Sequence, residues 1–341
     1  MDQFVISNPE KSNEWNDEKS FGHLVVKNLT KAGDQIVLIS GISSEELSAK
    51  DLLAKSFEVA KALIASGIKP GDVISIVSEN RFEFAYVLFG SILLNCTFAP
   101  INLTYSEREM EHAMSLSKPK IVFMSPFAAE KVVKVAKSLS FVKKIVLMED
   151  ENPFGSDVML FSDFTSVSNI KNVTLSLSTV DKSKAVSVIL MSSGTTGLAK
   201  GVQLSQNNLI AITRFSKNTS IKLADIDAGQ ERIVLGLVPW FHAFGLTSLI
   251  GCISATLVKI VLLPKFEEGL FLGCIENYKC NLLFMVPPLM VFMAKHPLVA
   301  DYDLSSVRMI VCGAAPLSRE LEEAVYKRLN NPRMIIRQGY G

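Results

Sequence analysis

The sequence predicts an α/β fold of two doubly wound, mostly parallel sheets packed as lobes. Three observations carry this expectation. Strand-like apolar runs alternate with helix-like segments almost throughout the chain. The runs are apolar on both faces, as strands are when helices cover a parallel sheet from two sides. There are roughly eight to ten of them, which two lobes hold better than one flat sheet. One lobe is expected at approximately residues 71–220, the other at approximately 21–70 together with 231–341. In such folds ligands sit beyond the carboxyl ends of the strands.

Each element has its own justification. Ala49 to Ser66 reads as an amphipathic helix with Leu53, Phe57, Ala60 and Ile64 on one face, stopped by Gly67 and Pro70. Val73 to Val77 is a strand, and Arg81 to Asn95 an apolar helix. Ser106-Glu107-Arg108-Glu109 is a capping box that opens a further helix. Ile121–Met124, a helix near Phe127–Ser138 and Ile145–Met148 continue the rhythm. Glu149 to Ser183 breaks it, being rich in Ser, Asn and Asp, and reads as a long connection. Ala185 to Met191 is a buried strand and Val202 to Leu204 another. Ser205 caps a helix to about Asn218, and Ile221 to Gln230 reads as a loop. Ile233–Val238 and Ile260–Leu263 are strands, and Phe266–Lys279 is helical. Leu282–Val286 is a strand ended by Pro287-Pro288. Met309–Cys312 is a strand, Glu320–Leu329 a helix, and Ile335–Arg337 starts a last strand.

Composition narrows the function classes. The chain is 48% hydrophobic and 20% charged, enough for a sizeable core and against disorder. A net charge of +1 gives no electrostatic reason for a nucleic-acid partner or an anionic membrane. The five cysteines at 96, 252, 274, 280 and 312 contain no C-x-x-C pair, and free thiols fit a reducing compartment. The four histidines show no zinc spacing. Met1 to Ser20 is polar and acidic without an apolar signal segment, so an intracellular location, cytoplasmic or peroxisomal, is expected. Ile233 to Val258 carries no Asp, Glu, Lys or Arg, and about 20 apolar residues can cross a bilayer. Gly236, Pro239, His242, Gly245 and Gly251 divide it into strand, loop and buried helix, so no transmembrane span is expected.

The most informative segment is Ser192-Ser193-Gly194-Thr195-Thr196-Gly197-Leu198-Ala199-Lys200-Gly201, with four hydroxyls, three glycines and one lysine. Glycines let the backbone approach a ligand, successive N–H groups can point at one anion, and Lys200 adds a mobile positive charge. Each hydrogen bond to a charged oxygen is worth about 1.5–3 kcal/mol, so a few would hold a polyphosphate tail. The spacing is not that of a P-loop, because Lys200 is followed by Gly201 and not by a hydroxyl. The alternative reading is a Gly/Ser/Thr connection without a ligand.

Two other strand ends are candidates. Pro239-Trp240-Phe241-His242-Ala243-Phe244-Gly245 places one imidazole among aromatic rings, suiting the wall of an apolar pocket or a core histidine bonded to a carbonyl. Gly313-Ala314-Ala315-Pro316 offers small residues on which a flat ring could lie, or simply a tight turn. At the end of the chain, Arg337 could meet phosphate oxygens through its fork of donors. Tyr340, within Gln338-Gly339-Tyr340-Gly341, could stack on a nucleobase.

Taken in order, these segments resemble the adenylate-forming superfamily of acyl-CoA synthetases, 4-coumarate–CoA ligases and beetle luciferases, in particular insect luciferase-like acyl-CoA ligases. The similarity runs from about Ser48 to Gly341. It includes Ser78-Glu79-Asn80, Ala99-Pro100-Ile101-Asn102, Phe266-Glu267-Glu268 and Tyr302-Asp303-Leu304-Ser305. The resemblance implies an N-terminal AMP-binding domain and two half-reactions using ATP, Mg2+ and coenzyme A. A small fatty or aryl carboxylic acid becomes acyl-AMP, and a thiol then displaces AMP. In luciferases the adenylate is instead oxidised with light emission. The resemblance would place Ser193 to Lys200 on the β/γ-phosphates and Gly313 to Pro316 and Tyr340 around adenine. His242 and Phe244 would border the acyl pocket, and Arg214 matches a position lining the luciferin pocket.

Two departures stand out. Ala199 replaces the family's usual proline. The sequence also ends at Gly341, before the family's Leu-Thr-Glu with its magnesium carboxylate, its ribose-binding aspartate and its small C-terminal lid domain with a lysine. On that ground the expectation is an incomplete N-terminal portion with little or no turnover of its own. A non-catalytic nucleotide-binding relic that binds partners is the alternative, and a P-loop kinase or NTPase fits the lysine spacing poorly.

Overall fold

The computed structural model describes residues 17–192, 198–218 and 231–339; the loop read at 221–230 lies outside them. In chain order the strands are β1 (Ile36–Ser40), β2 (Glu46–Ser48), β3 (Val73–Val77), β4 (Thr97–Pro100), β5 (Ile121–Met124), β6 (Lys144–Leu147), β7 (Val158–Leu160), β8 (Val186–Ser192), β9 (Lys200–Ser205), β10 (Ile233–Gly236), β11 (Lys259–Leu262), β12 (Leu282–Met285), β13 (Met309–Cys312) and β14 (Ile335–Gln338). They form two seven-stranded sheets, ordered β14-β13-β12-β10-β11-β1-β2 and β7-β6-β5-β3-β4-β8-β9. Every neighbouring pair is parallel except β1–β2 and β8–β9, which are antiparallel edge pairs. The α/β architecture of two mostly parallel sheets follows from the apolar runs.

The side-chain period of two decides the layers. Val234, Ile260 and Leu282 share one core with Ile74, Phe123 and Val188 of the other sheet. Their strand neighbours Leu235, Val261 and Leu283 point to a second core beneath Phe271, Ile275 and Val325. Val77, Val122 and Met124 point to a third with Met110 and Val132. The shared core holds helices Phe21–Ala32, Ala49–Ala65, Phe82–Leu93, Gln206–Asn218 and Ala243–Gly251 between the sheets. Their sequences explain it: Phe82–Leu93 is buried from Phe84 to Leu93, as a helix must be when both sides are covered.

Several expectations need correction. The buried face of Ala49–Ala65 holds Leu52, Ser56, Val59, Ala60 and Leu63; of the expected Leu53, Phe57, Ala60 and Ile64, Ala60 is buried and the other three are half-buried at its edge. The offset comes from Phe82–Leu93, whose Gly90 sits so close that a Cβ there would lie 2.7 Å from Val59 Cγ1. Glu149–Ser183 is not all connection, since β7 and the short helices Phe161–Phe164 and Val167–Ile170 fold within it. β12 ends before Pro287 as expected, and Pro287 also starts helix Pro287–Lys295, where its missing N–H costs nothing. The capping box forms as read. Ser106 Oγ accepts from Glu109 N–H, and Glu109 Oε2 accepts from Ser106 N–H at 2.8 Å. Among the described residues no helix is long and apolar enough to cross a membrane.

Candidate functional site

Parallel strands put all their carboxyl ends on one side, and a single side chain joins that side of the two sheets. Asn80, three residues past β3, donates from Nδ2 to Gly236 O at 3.1 Å and Val238 O at 3.2 Å. Its Oδ1 accepts from Trp240 N–H at 2.8 Å. The end of β3 therefore meets the end of β10. Ser192, at the end of β8, lies two strands from β3, roughly 10 Å away. Gly313, after β13, lies two strands from β10 on the other sheet, again roughly 10 Å. The three candidate strand ends thus lie on one side of the two sheets, the side where an α/β fold forms its crevice.

The hydroxyl-rich loop is the tip of the β8–β9 hairpin, with Ser192 directly opposite Lys200. Ser193, Gly194, Thr195, Thr196 and Gly197 lie outside the described residues. Lys200 is exposed, at the base of the hairpin. A residue the sequence reading passed over braces that base: His112, on helix Glu107–Ser117, is hydrogen-bonded through Nε2 to Ala199 O at 2.8 Å. Helix Gln206–Asn218 follows β9 and carries half-buried Arg214. That helix packs on the next candidate segment, since a Cβ on Gly251 would lie 2.1 Å from Ser216 Oγ.

The second segment turns sharply at the start of helix Ala243–Gly251, for which His242 is the N-cap. His242 N–H donates to Pro239 O at 3.1 Å. Gly245 is required by packing: a Cβ would lie 2.1 Å from Pro239 O and 2.8 Å from Val238 O. Trp240 is buried against Phe84, with ring centroids 5.6 Å apart. The His242 ring tilts against Phe241 at 4.7 Å and reaches solvent. Its surroundings still strip enough water to lower its pKa from the ordinary histidine value, favouring the neutral imidazole. Behind this wall only about 10 Å3 is open, between Val238, Gly245, Ser248 and Phe284, so a ligand's place is in front.

Phe244 connects wall and shelf. Its ring packs edge-on to Phe284 at 5.7 Å, and a Cβ on Gly313 would meet it at 3.3 Å. Gly313 N–H donates to Met285 O, and Gly339 N–H to Cys312 O, so both turns stay in register with their sheet. Ala314, Ala315 and Pro316 are exposed, and Ala314 has φ 70°, a left-handed conformation that costs a non-glycine residue about 1–2 kcal/mol. Gln338 holds this turn: its Oε1 accepts from Leu317 N–H at 3.2 Å. Exposed Arg337 and Gly339 complete the shelf; Tyr340 and Gly341 lie outside the described residues. A cavity of about 990 Å3 lies elsewhere, beyond β5 and β6 among Phe127, Lys131, Glu149 and Phe154, and contains none of the expected site residues.

Comparison with known proteins gives the family to which this fold belongs. The model of the AMP-binding enzyme family matches residues 25–341. The probable 4-coumarate–CoA ligase 3 of Dictyostelium discoideum is 32% identical over 95% of this chain and 60% of its own length. The luciferin 4-monooxygenase of Photuris pensylvanica is 32% identical over 90% of this chain and 55% of its own. The structure of a red-emitting luciferase from Phrixothrix hirtus superposes with a TM-score of 0.82 at 30% identity, covering 94% of this chain and 60% of that one. The chain therefore spans under two thirds of the length of these relatives, and its fold is that of their N-terminal part. On the matched residues and on the fold, the chain belongs to the AMP-binding enzyme family of adenylate-forming ligases and luciferases.

Proposed function

We propose that the crevice activates a carboxylic acid with ATP. An acid carboxylate oxygen attacks the α-phosphorus, the bond to the bridging oxygen breaks, and pyrophosphate leaves with acyl-AMP formed. The thiol of coenzyme A then attacks the acyl carbon, loses its proton and expels AMP, giving a thioester. The observation that carries this reading is the convergence of the Lys200 hairpin, the His242–Phe244 wall and the Gly313–Gly339 shelf on one side of both sheets.

Each side has a fitting part of the nucleotide. Lys200 and the hairpin tip would take the pyrophosphate end, where a cation offsets charge on the leaving group. The exposed Ala314 to Pro316 beside buried Gly313 would leave an adenine face room to lie flat, as only methyls and a proline ring are exposed there. His242, kept neutral, would donate a hydrogen bond toward the acid carboxylate without trapping it as an ion pair. The protein supplies no nucleophile; positioning and charge placement do the work. Magnesium enters as part of the substrate, Mg-ATP; among the described residues no three His, Cys, Asp or Glu side chains gather to hold a metal.

ATP–pyrophosphate exchange over a panel of fatty and aryl acids, with calorimetry of ATP and of a non-hydrolysable acyl-AMP analogue, tests the reading. Binding of the analogue is expected of this chain, and exchange with at least one acid is expected of a chain that also carries the C-terminal part its relatives have, exchange by these 341 residues alone being little or none. Absence of exchange with every acid in that longer chain would overturn the catalytic reading, and absence of analogue binding would overturn the site.

A further inference from the structure

We infer that Asn80 is a positioning residue of this crevice, whose carboxamide fixes where the Trp240–Phe244 wall stands against the acid. The inference rests on the proposed acid-activating reading and goes beyond it by naming a residue that touches no substrate. Asn80 is 2% exposed. The stretch it binds, Leu237 to His242, lies between β10 and helix Ala243–Gly251 and has no strand partner. Buried backbone groups there need partners from elsewhere, and Asn80 supplies them to Val238 O and Trp240 N–H. It also shares Gly236 O with Leu263 N–H.

The chemistry singles out asparagine. Two N–H donors and one carbonyl acceptor must come from one short planar group. Aspartate offers no donor, and serine offers one. The base from which Asn80 projects is itself held, since Arg81 Nε lies 2.7 Å from Glu83 Oε2 at the start of Phe82–Leu93. Phe84 of that same helix packs on Trp240. One turn of one sheet's topology thus grips the segment that carries His242 and Phe244 by its backbone on one side and by its indole on the other. The phosphate-side hairpin depends on neither contact, because β8 and β9 close on each other.

The experiment compares wild type, Asn80→Ala and Asn80→Asp in a Trp15→Phe background, where Trp240 is the sole tryptophan. Asn80→Asp keeps the acceptor for Trp240 and loses both donors. Three readouts are taken: unfolding midpoint, Trp240 emission, and calorimetric affinity for ATP and for an acyl-AMP analogue. Loss of these hydrogen bonds is expected to weaken the analogue by about tenfold or more in both variants, with ATP weakened less than about threefold. Trp240 emission is expected to shift to the red. A folded variant with an unchanged ratio of the two affinities and unshifted emission overturns the inference, whatever its midpoint. Hydrogen exchange on the wild type tests it without any variant: the Trp240 amide is expected to exchange far more slowly than the exposed amides, and fast exchange overturns the inference. If the wild type binds no acyl-AMP analogue, the acid-activating reading fails instead, and the emission and exchange results still decide whether Asn80 holds the wall.

Discussion

Replacing Gly245 by alanine puts a methyl carbon where the backbone already is. The added Cβ would lie 2.1 Å from Pro239 O, 2.6 Å from Pro239 C and 2.8 Å from Val238 O, whereas carbon contacts are comfortable at about 3.5–4.0 Å. None of these atoms is the free end of a side chain. Val238 O is held by Asn80 Nδ2 at 3.2 Å, and the Pro239 ring fixes its own φ. Overpacking costs about 1–3 kcal/mol, and a clash against three backbone atoms belongs at the upper end. Alanine in a helical first turn returns up to about 1 kcal/mol over glycine. The net expectation is a loss of about 2 kcal/mol, read as a melting point lowered by about 3 °C for a chain of this size. Gly339→Ala is the control, because a Cβ there meets nothing within 4 Å. Differential scanning calorimetry of the two variants beside wild type gives the answer. A Gly245→Ala protein as stable as wild type would mean that the turn yields freely, and the argument that packing fixes His242 would be wrong.

Four further outcomes are expected. Lys200→Ala should weaken ATP binding by about tenfold to a hundredfold, the worth of one charge-assisted hydrogen bond; calorimetry showing unchanged affinity would remove Lys200 from the phosphate site. Because the His242 pKa is lowered by burial from its ordinary 6.5, the unfolded chain binds more protons there than the folded one, so stability is full above 6.5 and is lost as pH falls toward the folded pKa. His242→Gln should flatten that part of the urea-unfolding profile between about pH 7 and pH 5, and parallel profiles would contradict it. Ala314→Gly relieves a φ of 70° and should raise stability by about 0.5–1 kcal/mol after the entropy cost of glycine; a lower melting point would speak against strain at that turn. Ser106→Ala should cost about 1 kcal/mol through loss of the helix cap, and an unchanged urea midpoint would show the box to be ornamental.

What was legible in the sequence was local. Val73–Val77, Ile121–Met124 and Met309–Cys312 are strands at the expected residues, because an apolar run between turn residues needs no distant information. Ile36–Ser40 carried the same signal and was passed over. Thr97–Pro100 was hidden by its proline, tolerated at the last strand position, and Val158–Leu160 by its shortness. The helix face of Ala49–Ala65 was read toward its edge because its partner helix, not its own periodicity, sets the rotation. At the candidate site, the small-residue shelf and the aromatic turn were visible as composition at strand ends. The residues that hold them were not. Asn80 stood only inside a motif, and its three partners lie 156 to 160 residues away. His112 meets Ala199 across 87 residues. Nothing in a local window reports such contacts.

The rung formed by Ser192 and Lys200 has a consequence for variation in this part of the chain. Both ends of the hydroxyl-rich stretch are sewn to the same ladder, so the root of the lysine side chain is located by strand pairing. Glycines and hydroxyls between the two ends can be exchanged, or their number altered, without carrying that root away from the seam.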